Sequence, residues 1–95
     1  MNKQFYVYIL TSKNRRVLYT GVTNDLLRRI SQHRDSNGSD FTHKYHIDLL
    51  VYYEVYDDAR TAIEREKQVK AGSRKKKLAL INAMNPGWID LAQEL

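Results

Sequence analysis

Six consecutive residues, Phe5-Tyr6-Val7-Tyr8-Ile9-Leu10, are all aromatic, β-branched or aliphatic. A run with no polar alternation reads as a strand buried on both faces, so the chain must supply cover for each side of it. The polar stretch Ser12-Lys13-Asn14-Arg15 makes a turn, and Val17, Leu18, Tyr19, Thr20 and Val22 within residues 16–22 predict a second strand returning antiparallel. With the turn centred between Lys13 and Asn14, Tyr8 lies across from Tyr19.

Thr23 and Asn24 can cap a helix over residues 25–34, with Asp25 in the first turn, where the helix dipole favours a negative charge. Its wheel puts Leu26, Leu27 and Ile30 in an apolar stripe with His33 inside it, Arg29 at the edge and Arg28 on the opposite side. Residues 35–47 are polar and read as a long loop. A third strand spans 48–56. Asp57 or Asp58 then caps a helix to Ala71, Gly72 ends it, and Ser73 caps a third helix to Met84. Asn85-Pro86-Gly87 stops that helix, and Trp88, Ile89 and Leu91 return the tail to the core. The order is β-β-α-β-α-α, an α+β class (α/β sandwich) with a three-stranded sheet.

The 95 residues suit one small domain over 1–95, since two would each bury too little surface. The absence of Cys excludes a disulfide framework, a thiolate zinc site and a cysteine nucleophile. No apolar run approaches the roughly 20 residues that cross a bilayer, and no signal-peptide core is present, so a cytoplasmic protein without a membrane partner is expected. Phosphate-cradling glycine loops, a serine nucleophile elbow and a His-Glu-x-x-His zinc helix are also missing.

Sixteen Lys and Arg against eleven Asp and Glu give a formal charge of +5. The excess is local: residues 60–77 hold eight basic and two acidic side chains, a net of +6, which favours a polyanionic partner. Lys70, Arg74, Lys75 and Lys76 are candidate phosphate contacts there, the last three at a helix N-terminus. Arg28 and Lys44 join them as candidates for nucleic-acid binding.

Glu66 is the residue most out of place. Ala59, Ala62, Ile63 and Val69 define the inward face of the second helix, and Glu66 projects into the middle of it, whereas Glu64 points to water. A carboxylate there needs a partner: either a structural ion pair with an arginine such as Arg29, or a metal or catalytic role. Two tyrosines, a stripe-edge arginine and an inward glutamate are the parts of a phosphodiester hydrolase: a hydroxyl for water, a cation for phosphate charge, a carboxylate for a divalent ion.

Tyr6-Val7-Tyr8, then Tyr19-Thr20-Gly21, then Arg29, then Glu66 within Arg65-Glu66-Lys67-Gln68-Val69-Lys70, resembles the GIY-YIG nuclease family. The likeness is to small stand-alone bacterial members, which are similar to the N-terminal endonuclease domain of the excision-repair nuclease, and it covers nearly the whole chain. It implies a three-stranded antiparallel sheet flanked by helices. It also implies that Tyr8 and Tyr19 orient and deprotonate the attacking water, that Arg29 contacts the scissile phosphate, and that Glu66 is the sole acidic metal ligand. One carboxylate completed by water and phosphate oxygens suits Mg²⁺ or Mn²⁺. His33 falls near a position where the family has a histidine or aromatic, which gives it an auxiliary proton-transfer role beside its reading as a satisfied interior histidine.

Two departures stand out. The first motif's glycine is Tyr6 here, and the second motif's isoleucine is Thr20. Asn82 or Asn85 could match an asparagine found late in larger members, but no local motif anchors either, so neither joins the catalytic set. The expectation is a divalent-metal-dependent endonuclease of DNA, serving repair or recombination, acting as a monomer or weak dimer with DNA or a larger repair protein as partner. The alternative is a catalytically inactive nucleic-acid-binding module of the same fold.

Overall fold

The structure is a computed structural model and describes residues 3–35 and 46–95. β1 (Phe5–Thr11) lies between β2 (Leu18–Thr23) and β3 (Leu49–Tyr56), and both pairings are antiparallel. Among the described residues three helices follow the expected order, α1 (Leu26–Asp35) between β2 and β3, then α2 (Ala59–Ala71) and α3 (Arg74–Met84) after β3, with a 3₁₀ turn at Leu91–Glu94. Of the expected loop, residues 36–45 lie outside the described residues, and Lys44 with them.

The central strand is covered on both sides, as its composition demands. Val7 and Ile9 join Val51, Tyr52, Ala62, Val69 and Ile81 in the core beneath α2 and α3. On the opposite side Tyr8 and Leu10 pack with Leu26, Ile30, Ile47, Leu50 and Leu91 beneath α1. Successive β1 side chains alternate between the two cores, so the inward residues of α1 meet Tyr8's side of the sheet and not Val7's.

The β1–β2 register differs from the expected one by two residues: Tyr19 pairs with Leu10, and Tyr8 pairs with Gly21. The connection is wider than a tight turn. Arg15 donates its N–H to the Ser12 carbonyl from a left-handed backbone (φ 60°), and the Thr11 hydroxyl donates to the Val17 carbonyl, which moves the centre of the hairpin one residue along. Asp25, rather than Thr23 or Asn24, caps α1, accepting from the Arg28 N–H at 3.1 Å.

The apolar faces of the helices are narrower than the wheels suggest. Leu27 and Ile63, expected to point inward, are 50% and 43% exposed, and Ala59 is exposed as well. In α2 only Ala62 and Val69 are buried. Glu66 is therefore half-buried rather than set in the middle of a wide apolar face. A small sheet has room beneath a crossing helix for one row of side chains, so the residues flanking that row stay partly in solvent.

The tail closes the molecule. Asn85, only 4% exposed, donates to the carbonyls of Val51 and Ile89 and accepts from the Ile89 N–H. Asp90 accepts from Arg34 at 2.7 Å and from the Leu50 N–H, tying the tail to both α1 and β3. Leu91 enters the core beneath α1, while Ile89, expected to fold inward, is 55% exposed.

Candidate active site

Tyr8 stands at the centre of β1, wholly buried, and its hydroxyl reaches back against β2. Gly21 makes this possible. A Cβ built at Gly21 would lie 2.4 Å from the Tyr8 hydroxyl oxygen and 2.5 Å from the ring carbon that bears it, so only a residue without a side chain lets that hydroxyl lie there.

Two residues of α1 meet the same hydroxyl. The Arg29 Nε–H donates to it at 3.4 Å, and His33 Nε2 lies 3.3 Å from it. Arg29 and His33 are four positions apart and so project from one side of the helix. His33 is 2% exposed, its ring 5.5 Å from that of Tyr19 and 6.2 Å from that of Tyr8, with the two tyrosine rings 6.5 Å apart. Tyr8, Tyr19, Arg29 and His33 thus form one cluster, joining residues from β1, β2 and α1. Tyr19 is the half-exposed member of the tyrosine pair.

The hydrogen bond to Tyr8 raises the Arg29 pKa and outweighs partial burial, which acts the other way; Tyr19 adds a smaller push in the same direction as Tyr8. The guanidinium stays charged throughout. Its Nη1 also donates to Gln32 at 3.4 Å. The ion pair between Arg29 and Glu66 that the sequence left open as one alternative is not formed, because Arg29 is turned toward Tyr8 and Gln32. Among the described residues the Glu66 carboxylate makes no hydrogen bond or ion pair.

An open polar cleft of about 400 Å³ lies beside the cluster, lined by Val22, Thr23, Asn24, Asp25, Arg28, Arg29 and Gln32. Arg28, expected on the opposite side of α1, borders this cleft too, since the cleft opens at the helix's first turn, where both long side chains reach its rim. The other cationic candidates lie elsewhere. Lys70, Lys75 and Lys76 are exposed, while the Arg74 guanidinium donates to the carbonyls of Arg15 and Arg16 at 2.8 and 2.9 Å and so fastens the β1–β2 hairpin to α3.

Asn82 and Asn85 both have structural work: Asn82 accepts from the Trp88 indole N–H at 2.8 Å, and Asn85 holds the tail.

A second polar cluster escaped the sequence reading. Glu54 of β3 accepts from Arg65 Nε at 2.9 Å and Nη2 at 3.0 Å, and from the hydroxyls of Tyr52 and Tyr56. Burial pushes its carboxyl up, but the Arg65 bonds and the two hydroxyls more than offset that and hold it below the usual carboxylate range. Burial and the Glu54 carboxylate together raise both tyrosines. Tyr-x-Glu-x-Tyr on alternate positions of an otherwise apolar strand was the available signal: it puts the three side chains on one side of the sheet.

Comparison with known proteins bears on this geometry. The GIY-YIG catalytic domain matches residues 4–79, a span that contains all four clustered residues and Glu66. A UPF0213 protein of Staphylococcus saprophyticus is 39% identical over 77 residues, covering 81% of this chain and 93% of that one. A UPF0213 protein of Haloquadratum walsbyi is 36% identical over 80 residues, covering 84% and 89%. The solution structure of a UPF0213 protein from Bacillus halodurans superposes with a TM-score of 0.58 at 32% identity, covering 92% of each chain.

Proposed function

We propose, from the premise that this chain belongs to the GIY-YIG nuclease family, that it is a divalent-metal-dependent endonuclease hydrolysing DNA phosphodiester bonds. The observation that carries the reading is the Tyr8 hydroxyl, shared between Arg29 and His33 beside an open cationic cleft. A structural tyrosine needs one hydrogen-bond partner, whereas this one holds a guanidinium and an imidazole at a single point with a second tyrosine alongside.

Each residue then has a role. Tyr19, the tyrosine open to solvent, orients the attacking water. Tyr8 sets the position of Arg29 and, with His33 beside it, offers a path for the water's proton: the Tyr8 hydroxyl takes one proton as it passes its own to the adjoining imidazole. Arg29 has two N–H groups committed to Tyr8 and Gln32, and its remaining N–H groups serve a phosphate in the cleft, where charge develops as the bond to the leaving oxygen breaks. Arg28 adds a second cation at the rim.

Glu66 fits the metal-ligand role by its donor chemistry and its state. It is a half-buried carboxylate that no cation or hydrogen-bond donor among the described residues satisfies. Among those residues no three or more His, Cys, Asp or Glu side chains gather as a metal site, and a lone carboxylate completed by water and phosphate oxygens would suit hard Mg²⁺ or Mn²⁺. Held by Glu66, such an ion would supply positive charge to the bound phosphate. The exposed Lys70, Lys75 and Lys76 extend the phosphate contacts beyond the cleft. A role in DNA repair, alone or beside a larger repair protein, is the biological context this activity suits.

The test is cleavage of supercoiled plasmid and of labelled single-stranded and branched oligonucleotides with Mg²⁺, Mn²⁺ or EDTA, comparing wild type with Glu66→Ala. Metal-dependent nicking that EDTA and the substitution both abolish is expected. Undiminished nicking by Glu66→Ala overturns the metal assignment. Binding without cleavage under every metal makes the protein an inactive nucleic-acid-binding module.

A further inference from the structure

Among the described residues the Glu54 cluster is the largest set of titratable groups that the mechanism leaves unused, and it lies on the α2 side of the sheet, away from Tyr8. Its arginine is the residue next to Glu66. We propose that Glu54, through its bidentate bond to Arg65, sets the rotation of α2 and is thereby a positioning residue for the Glu66 carboxylate; this rests on the reading that Glu66 holds the divalent ion.

The argument begins with how little else fixes that rotation. α2 has thirteen residues and buries only Ala62 and Val69, a methyl and an isopropyl group against the sheet. Two small apolar side chains hold a helix down without defining its angle about its own axis. Successive residues of a helix are about 100° apart, so on the wheel Arg65 and Glu66 fall on opposite flanks of the line through Ala62 and Val69. Arg65 occupies the flank facing Glu54 on β3. Glu66 occupies the other.

A turn of α2 about its axis that moved Glu66 would therefore have to pull Arg65 from Glu54. The pull is resisted by geometry. A planar guanidinium meeting both oxygens of one carboxylate fixes direction as well as distance, and here the carboxylate is itself held by the Tyr52 and Tyr56 hydroxyls from its own strand. The carboxylate is 17% exposed and the guanidinium 32%, so the pair is shielded enough to be more than a surface contact. Arg65 also donates to Gln68 one turn on, which stiffens its own side chain. Within the cluster the Glu54 carboxylate is met by two tyrosine hydroxyls and the Arg65 fork; its consequence is mechanical.

Mn²⁺ titration followed by paramagnetic broadening of backbone amide signals reads the ion without reference to cleavage. Wild type is compared with Glu54→Ala, Arg65→Ala, the double variant and Glu66→Ala, each checked by thermal unfolding. Broadening around Glu66 is expected in wild type and absent in Glu66→Ala. Glu54→Ala and Arg65→Ala should each raise the Mn²⁺ midpoint about tenfold, the scale on which groups that orient a metal ligand act. The double variant should be no worse than either single one, because the two residues act as one device. Arg65→Lys should fail to restore the wild-type midpoint, since an ammonium cannot grip both oxygens. A Mn²⁺ midpoint unchanged in Glu54→Ala, with only the melting temperature lowered, overturns the positioning role while leaving the Glu66 assignment intact. Broadening that survives Glu66→Ala overturns both.

Discussion

Opposite Tyr8 in the sheet, Gly21 leaves the space that the Tyr8 hydroxyl occupies. Gly21→Ala puts a methyl group inside contact distance of that oxygen, and the ring must shift within a packed core. The expected cost is about 1–3 kcal/mol of folding stability, as for other overpacked sites. Activity should fall further than stability, because the shift also carries the hydroxyl away from Arg29 and His33. Chemical denaturation measured beside the nicking rate checks this, and a Gly21→Ala protein that nicks at the wild-type rate would show that the hydroxyl position is irrelevant. Arg29 and His33 were legible as stripe-edge and inward residues because a helix wheel is a local signal, and Tyr8 was singled out by its likeness to the family motif; which side of the sheet α1 covers was not legible, because that is set by packing at a distance. Glu54 was not, since a strand reading of Leu49–Tyr56 registers an apolar run and says nothing of which helix side chain will reach across to its one charged residue.

At the level of the elements, β1, β3 and the three helices fall within one residue of the ranges expected, because cap residues and apolar runs are local signals. The hairpin register was not local. It depends on how Arg15 and Thr11 shape a six-residue connection, and no periodicity encodes that. The α3 terminus offers a clean separation of stability from chemistry. Asn85→Ala removes a buried amide and leaves the Val51 and Ile89 carbonyls and the Ile89 N–H without it, at an expected cost of about 2–3 kcal/mol. The melting temperature should drop while the nicking rate per folded molecule holds. A selective loss of rate with the melting temperature unchanged would instead place Asn85 in the catalytic machinery.

Across the whole molecule, the sheet separates two kinds of polar chemistry: the shared tyrosine hydroxyl on the α1 side and the carboxylate cluster on the α2 side. The basic excess of residues 60–77 was legible as charge, but its division of labour was not, because Arg74 is occupied by the hairpin's carbonyls. Lys70, Lys75 and Lys76 remain as exposed cations. DNA binding should weaken as salt rises, and replacing all three with alanine should make the slope of log affinity against log salt shallower by about 2.7, or about 0.9 for each phosphate no longer neutralised. Filter binding over a salt series measures it, and an unchanged slope would remove these lysines from the DNA interface.

The fastening of Arg34 to Asp90 joins residues 56 positions apart. A ribosome builds a chain from its N-terminal side, so Tyr8, Tyr19, Arg29 and His33 have all emerged long before Asp90 is added. Until it arrives, the helix that bears Arg29 and His33 lacks its tie to the tail, and Leu91 is not yet in the core beneath it. A growing chain thus carries the Tyr8, Tyr19, Arg29 and His33 cluster before it can brace it, and the cluster gains its last support only after the messenger encoding those residues has been read well past them.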